Sequence, residues 1–148
     1  MRLTQIKKMS GYGILLLIIS CKTYTIPVDS FKKQMVRATS ENLKEVEINN
    51  PLNYSRGIKY RSNTIERLEV LDKKGNMAYL DNSAAIEMRV TLQNGKKRIM
   101  YFDTVVLEND TLKGGRSRFA QGLTLKIPMN EIVKIEVQDG GKKFNYQK

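Results

Sequence analysis

Cys21 is the sole cysteine and histidine is absent, so the side chains that most often act as nucleophile, proton shuttle or zinc ligand are almost missing from this chain. Catalysis would then fall to paired carboxylates, a serine–lysine dyad or a carboxylate metal site. The candidate carboxylates Asp72, Asp81, Asp103, Glu108 and Asp110 stand at predicted turns or strand ends, where acids are ordinary turn formers, and no spacing singles out a pair. A calcium loop, with alternating acids, a glycine and a closing glutamate, is not found either. The segment Gly114-Gly115-Arg116-Ser117-Arg118 offers more. Its glycines, Arg116, Ser117 and Arg118 could hold a phosphate or carboxylate through bidentate contacts and backbone amides, or form a solvated loop between strands. The sequence offers no helix amino terminus beside it to complete a phosphate cradle. These residues predict no enzyme, no cofactor and no metal site, with Arg116, Ser117 and Arg118 as the candidate anion-binding group.

Cys21 is placed for a different role. Arg2, Lys7 and Lys8 precede it with no acidic residue, then comes the apolar run Ile14 to Ile19, then the small residue Ser20. That order is a secretory signal, and the run is too short to span a bilayer. Leu17-Ile18-Ile19-Ser20-Cys21 resembles the lipobox of bacterial lipoproteins, with aliphatic Ile18 at the third position before the cut and small Ser20 just before it. Ile19 is bulkier than the usual alanine or serine. The resemblance covers the first 21 residues. It implies cleavage between Ser20 and Cys21, a diacylglycerol on the thiol and acylation of the new amino terminus, and several acyl chains make such anchoring durable. Lys22 follows. An acid there resembles an inner-membrane retention signal of some bacteria and an acidic cluster the surface-export signal of others; neither is present. The expected location is therefore the outer membrane with the domain facing the periplasm, surface exposure being the alternative.

Loss of residues 1–20 leaves 23 basic residues against 15 acidic, a formal net charge of +8. An exported chain does not ordinarily meet nucleic acid, so the charge points to anionic lipid, an envelope glycan or an acidic protein partner, or serves solubility alone.

The remaining elements read as short strands. Residues 21–30 form an acylated terminus and short tether or edge strand containing Pro27, and residues 31–148 a single β-rich domain. Ile86, Met88, Val90 and Leu92 alternate with polar residues, which gives a half-buried strand. Asn94-Gly95 suits a two-residue hairpin turn, returning Lys97 to Leu107 antiparallel. Within that return, Ile99-Met100-Tyr101-Phe102 is apolar on both faces and should be covered on both. Further strands are expected around Thr111 to Gly114, Leu123 to Ile127 and Val133 to Val137, with a helical or 3₁₀ turn at Pro128-Met129-Asn130-Glu131. Phe144 and Tyr146 should close a terminal hairpin. In the first half, Val46 with Ile48, Ile58 with Tyr60, and Met77 to Leu80 are short strands. Thr64 to Leu71 is strand or helix, and one short helix fits within Phe31 to Leu43.

The expected fold class is all-β, a small antiparallel sheet or partly open barrel with at most one or two short helical turns. The strand, tight turn and strand of Ile127 to Ile135 resemble the corner before the last strand of SH3-like and Sm-like small barrels, and the whole resembles small β-rich lipoproteins of Bacteroidetes-type bacteria. Asp103-Thr104-Val105 and Asp110-Thr111-Leu112 resemble the O-glycosylation acceptor sequence of such bacteria. The functional expectation is a non-catalytic envelope lipoprotein that binds or assembles with a partner. The alternative is a module acting on an anionic envelope lipid or glycan through the Arg116 loop.

Overall fold

The structure, a computed structural model, describes residues 22–148; the segment expected to be a signal, and Cys21, lie outside the described residues. Among the described residues the fold is all-β and antiparallel, with one short helix and isolated 3₁₀ turns, and none of its sheets closes into a barrel.

The chain enters as β1 (Thr23–Ile26), followed by α1 (Val28–Gln34), whose start is set by Pro27 where no helical amide is needed. The segment expected as a tether or edge strand is instead an interior strand. Thr23 pairs with Gln138 on one side and Thr25 with Leu71 on the other. A six-stranded sheet results, ordered β5 (Met77–Asp81), β4 (Arg67–Leu71), β1, β11 (Ile132–Asp139), β6 (Ile86–Leu92) and β7 (Lys97–Tyr101). A three-stranded sheet, β10 (Thr124–Pro128), β9 (Thr111–Gly115) and β8 (Val106–Glu108), and a hairpin of β2 (Lys44–Ile48) with β3 (Ile58–Ser62) complete the fold.

The alternation in β6 holds throughout: Ile86, Met88, Val90 and Leu92 are buried and the residues between them half-buried. Its hairpin turn has three residues rather than two, because Leu92 N–H donates to Lys96 O, and only Gly95 takes a positive φ, 78°. The return strand stops at Tyr101. There the 3₁₀ turn Phe102–Thr104 diverts the chain into another sheet, so Lys97 to Leu107 is not one strand. The strand–turn–strand corner at Ile127 to Ile135 is present, with a 3₁₀ turn at Met129–Glu131, but its strands belong to different sheets, unlike the barrel it resembles. A bulge between Ile132 and Lys134 shifts the phase of β11, leaving Val133 56% exposed while Ile135 and Val137 are buried. The terminal hairpin does not form. Phe144 is buried without strand pairing, and Tyr146 makes one bridge, to Ile48.

One face of the six-stranded sheet carries the main core, in which Leu68, Val70, Met88, Val90, Ile135 and Val137 meet Phe31 and Met35 of the helical segment and Leu112 and Ile127 of the three-stranded sheet. A second, smaller cluster contains Ile48, Ile58, Tyr60, Ala84, Tyr101 and Phe144. The chain from Met100 to Asp103 alternates between the two. Met100 and Phe102 enter the main core, while Tyr101 joins the second cluster and Asp103 bonds to Tyr60 within it. That is why the apolar run needs cover on both faces.

Candidate functional site

Asp103 is fully buried, and a carboxylate taken from water must be matched by donors. Residues in and around the second cluster supply three. Tyr60 reaches it because Ile58, Tyr60 and Ser62 share the inward face of β3. Its hydroxyl and that of Tyr146 both donate to Asp103 Oδ2, the latter at 2.8 Å. Arg118, from the loop between β9 and β10, donates through Nη2 to Asp103 Oδ1 at 2.6 Å and to Ala84 O at 2.6 Å. The guanidinium lies over the rings of Tyr101 at 4.0 Å and Tyr60 at 4.6 Å, so aromatic faces supply much of its solvation. Its Nε and Nη1 are buried without a hydrogen-bond partner.

Burial, reinforced by the charge of Asp103, pushes the Tyr60 hydroxyl far above the ordinary tyrosine range, and the same causes raise Tyr146. Both therefore stay protonated and act as donors. Beside them, Lys142 Nζ donates to Glu87 at 2.7 Å and to the Tyr101 hydroxyl at 2.9 Å. Burial opposes its charge, but these hydrogen bonds outweigh it and raise the lysine above its usual value.

The turn that carries Asp103 is itself clamped. Buried Asn63 donates its backbone N–H to Asp103 O at 2.6 Å and its side-chain amide to Phe102 O and Val105 O. Thr104 Oγ1 donates to Tyr101 O and accepts from Gly115 N–H, so the hydroxyl of the resembled acceptor sequence is engaged inside the fold. A β-carbon at Gly114 would stand 2.6 Å from Met100 Sδ. Gly114 and Gly115 are thus close-packed strand residues of β9, needed for approach rather than for flexibility.

The three residues of the candidate anion group do not converge. Arg118 turns inward to Asp103, Ser117 Oγ accepts the amides of Phe119 and Ala120, and Arg116 is exposed with its backbone N–H on Leu123 O. Sequence reasoning treated Asp103 as a turn former and passed over Tyr60. The one available signal was the four-residue apolar run leading into Asp103, which implies a turn enclosed from both sides.

Tyr60 and Arg118 also line an open cleft of about 330 Å³ between β3 and the three-stranded sheet. Ser40, Arg61, Gln121 and Thr124 add hydroxyl, cationic and amide groups to its wall. Lys113, another lining residue, bonds Glu108 at 2.9 Å, and Glu108 in turn accepts the Ser40 amide at 2.6 Å. The Lys113 hydrogen bond first, then that of Ser40, pulls the Glu108 carboxyl down to about 2. Among the described residues, no group of three or more acids could hold a metal ion, and no helix is long and apolar enough to cross a membrane. Comparison with models of protein families, with curated proteins and with solved structures returns no match to this chain.

Proposed function

We propose that this protein is a bacterial envelope lipoprotein, anchored through acylated Cys21, that binds or assembles with an envelope partner and does not catalyse. The observation that carries the binding reading is the cleft lined by Tyr60 and Arg118, both of which are committed to Asp103 behind it. Both Asp103 oxygens accept hydrogen bonds, the two tyrosines are held protonated, and the Arg118 charge is matched internally. That leaves Tyr60 and Arg118 neither a free base nor a free nucleophile, while the other lining residues offer varied hydrogen-bonding groups suited to recognition.

The anchoring reading is supported from the other end of the chain. Lys22 leads directly into interior strand β1, so acyl chains on Cys21 would be joined to a rigid element. The outer membrane, with the domain facing the periplasm, is the proposed location, and protease added to intact cells tests the face. An anion-binding role for Arg116 has less support, since Arg118 is turned away from it.

A photo-crosslinking side chain at Thr124 of the full-length protein in its own cells tests the binding reading. Adducts to one envelope species are expected at Thr124 and not at Thr91 of β6. Equal or absent adducts at both positions would count against the cleft. Cys21→Ala should abolish labelling by a fatty-acid analogue; undiminished label would end the lipoprotein reading.

A further inference from the structure

We infer that the end of the six-stranded sheet where the chain enters is a membrane-docking surface for phosphate-bearing lipid headgroups, formed by Lys22, Lys73 and Lys74. The inference rests on the proposed lipid anchor and goes further by assigning the face that meets the bilayer.

Geometry comes first. β1 pairs on both sides, with β11 and with β4, so its direction is fixed by the sheet and not by a tether. Lys22 alone separates Cys21 from Thr23, a span of two residue steps or about 7 Å when extended. Acyl chains on Cys21 therefore bring this end of the sheet against the headgroups, within roughly one Debye length, about 8 Å at physiological salt. In the register that pairs Thr25 with Leu71, the chain before Thr25 runs back alongside the turn that follows β4. Lys22, Thr23 and Tyr24 accordingly share one concavity, about 430 Å³, with Asp72, Lys73, Lys74 and Ala78.

Charge and shape then select the partner. Lys22, Lys73 and Lys74 are exposed and make no ion pair among the described residues. Asp72 is the acid in the concavity, and its carboxylate is turned to its own loop, accepting from Lys74 N–H at 2.8 Å and Asn76 N–H at 2.9 Å. Gly75, at φ 83°, allows this tight turn to present both lysines side by side. Met77 follows the turn and is 61% exposed on edge strand β5, adding an apolar side chain next to the lysines. Cations flanked by exposed apolar surface beside a lipid anchor suit an anionic interface, and such residues reinforce an acyl chain.

The test uses the intact acylated protein, purified from membranes and reconstituted into vesicles of phosphatidylcholine alone or mixed with phosphatidylglycerol. Amine labelling is read residue by residue by mass spectrometry. Lys73 and Lys74 should lose labelling in the anionic vesicles, by about five-fold each, and regain it at raised salt, whereas Lys96 and Lys97 at the opposite end of the sheet should not change. A Lys73→Glu, Lys74→Glu variant should lose the salt-dependent protection at Lys22 while keeping its acyl chains. Equal labelling of Lys73 and Lys74 in both vesicles, on protein whose Cys21 peptide carries acyl chains, overturns the docking surface and leaves the anchor standing. A Cys21 peptide without acyl chains overturns both.

Discussion

The main core and the cluster around Asp103 bury side chains in the same small molecule by different means. Beneath the six-stranded sheet, Phe31, Leu68, Met88, Val90, Met100 and Ile135 pack without any charged side chain among them. Across the turn at Phe102–Thr104, the second cluster encloses an ion pair, and among the described residues all four buried polar side chains, Ser62, Asn63, Asp103 and Arg118, gather at this junction. Apolar packing is non-directional and tolerates modest repacking, whereas a buried ion pair adds little net stability but is costly to leave half made. The main core therefore carries the stability of the fold. The second cluster fixes the positions of β3, the C-terminal segment and the Arg118 loop, and so the shape of the cleft.

Substitution separates the two. The largest effect is expected from Val90→Asp, which places an unpaired charge in the main core and costs on the order of several kcal/mol against a total of about 5–15 kcal/mol. Thr91→Asp, on the opposite face of β6, should cost about 0.5 kcal/mol or less. Thermal melts of the two variants decide this, and equal losses would mean that β6 is covered on both faces.

Next comes Arg118→Met, which strands Asp103 and should cost about 3–5 kcal/mol. Adding Asp103→Asn removes the remaining charge yet keeps an acceptor for both tyrosines, so the double variant should regain most of that loss. Denaturant titrations of the full cycle measure the coupling. Simple additivity would show that the two charges do not meet in solution.

Tyr146→Phe deletes one of the three donors to Asp103 and should cost about 1.5 kcal/mol. It also tests the pH dependence. Because the folded-state values of Tyr60 and Tyr146 lie above the unfolded value of about 10, their stabilisation is complete below that pH and is lost as pH rises towards the folded values. The wild type should lose stability steadily above pH 10, and Tyr146→Phe less steeply; identical alkaline limbs would refute the hydrogen bond.

The smallest effect belongs to Glu108 at the cleft wall. Its folded-state value, about 2, lies below the ordinary 4.5, so its contribution is present above 4.5 and fades as pH falls towards 2. Glu108→Gln should flatten the acid limb in that window slightly, read from melts across it. An unchanged limb would mean that Lys113 and Ser40 do not hold the carboxylate in solution.

Much of the strand pattern was legible because a period of two is a local property. The alternations of β3 and β6 and the existence of turns near Gly75, Gly95 and Asn109-Asp110 could be read from the sequence, whereas the length of the Gly95 turn, the positive φ of Asn109 and Asp110 and the exposure of Leu123 could not. Departures came where neighbours outside the local segment act. The bulge at Val133 answers to the partner strand β6, and β1 is an interior strand because β4 and β11 flank it. Arg118 resembled a free anion binder because nothing near it in sequence discloses a buried acid fifteen residues earlier.

From its sequence alone, this chain reads as a basic, then apolar segment leading to a single cysteine, followed by alternating strands without any histidine. These are statements of composition and short-range order, which need no knowledge of what meets what. Which strands become neighbours, which acid is buried and which lysines gather around the entering chain are matters of long-range contact. Only the tertiary structure decides them, because a carboxylate in water and a carboxylate enclosed by Tyr60, Arg118 and Tyr146 are the same residue in the sequence and different chemical groups in the fold.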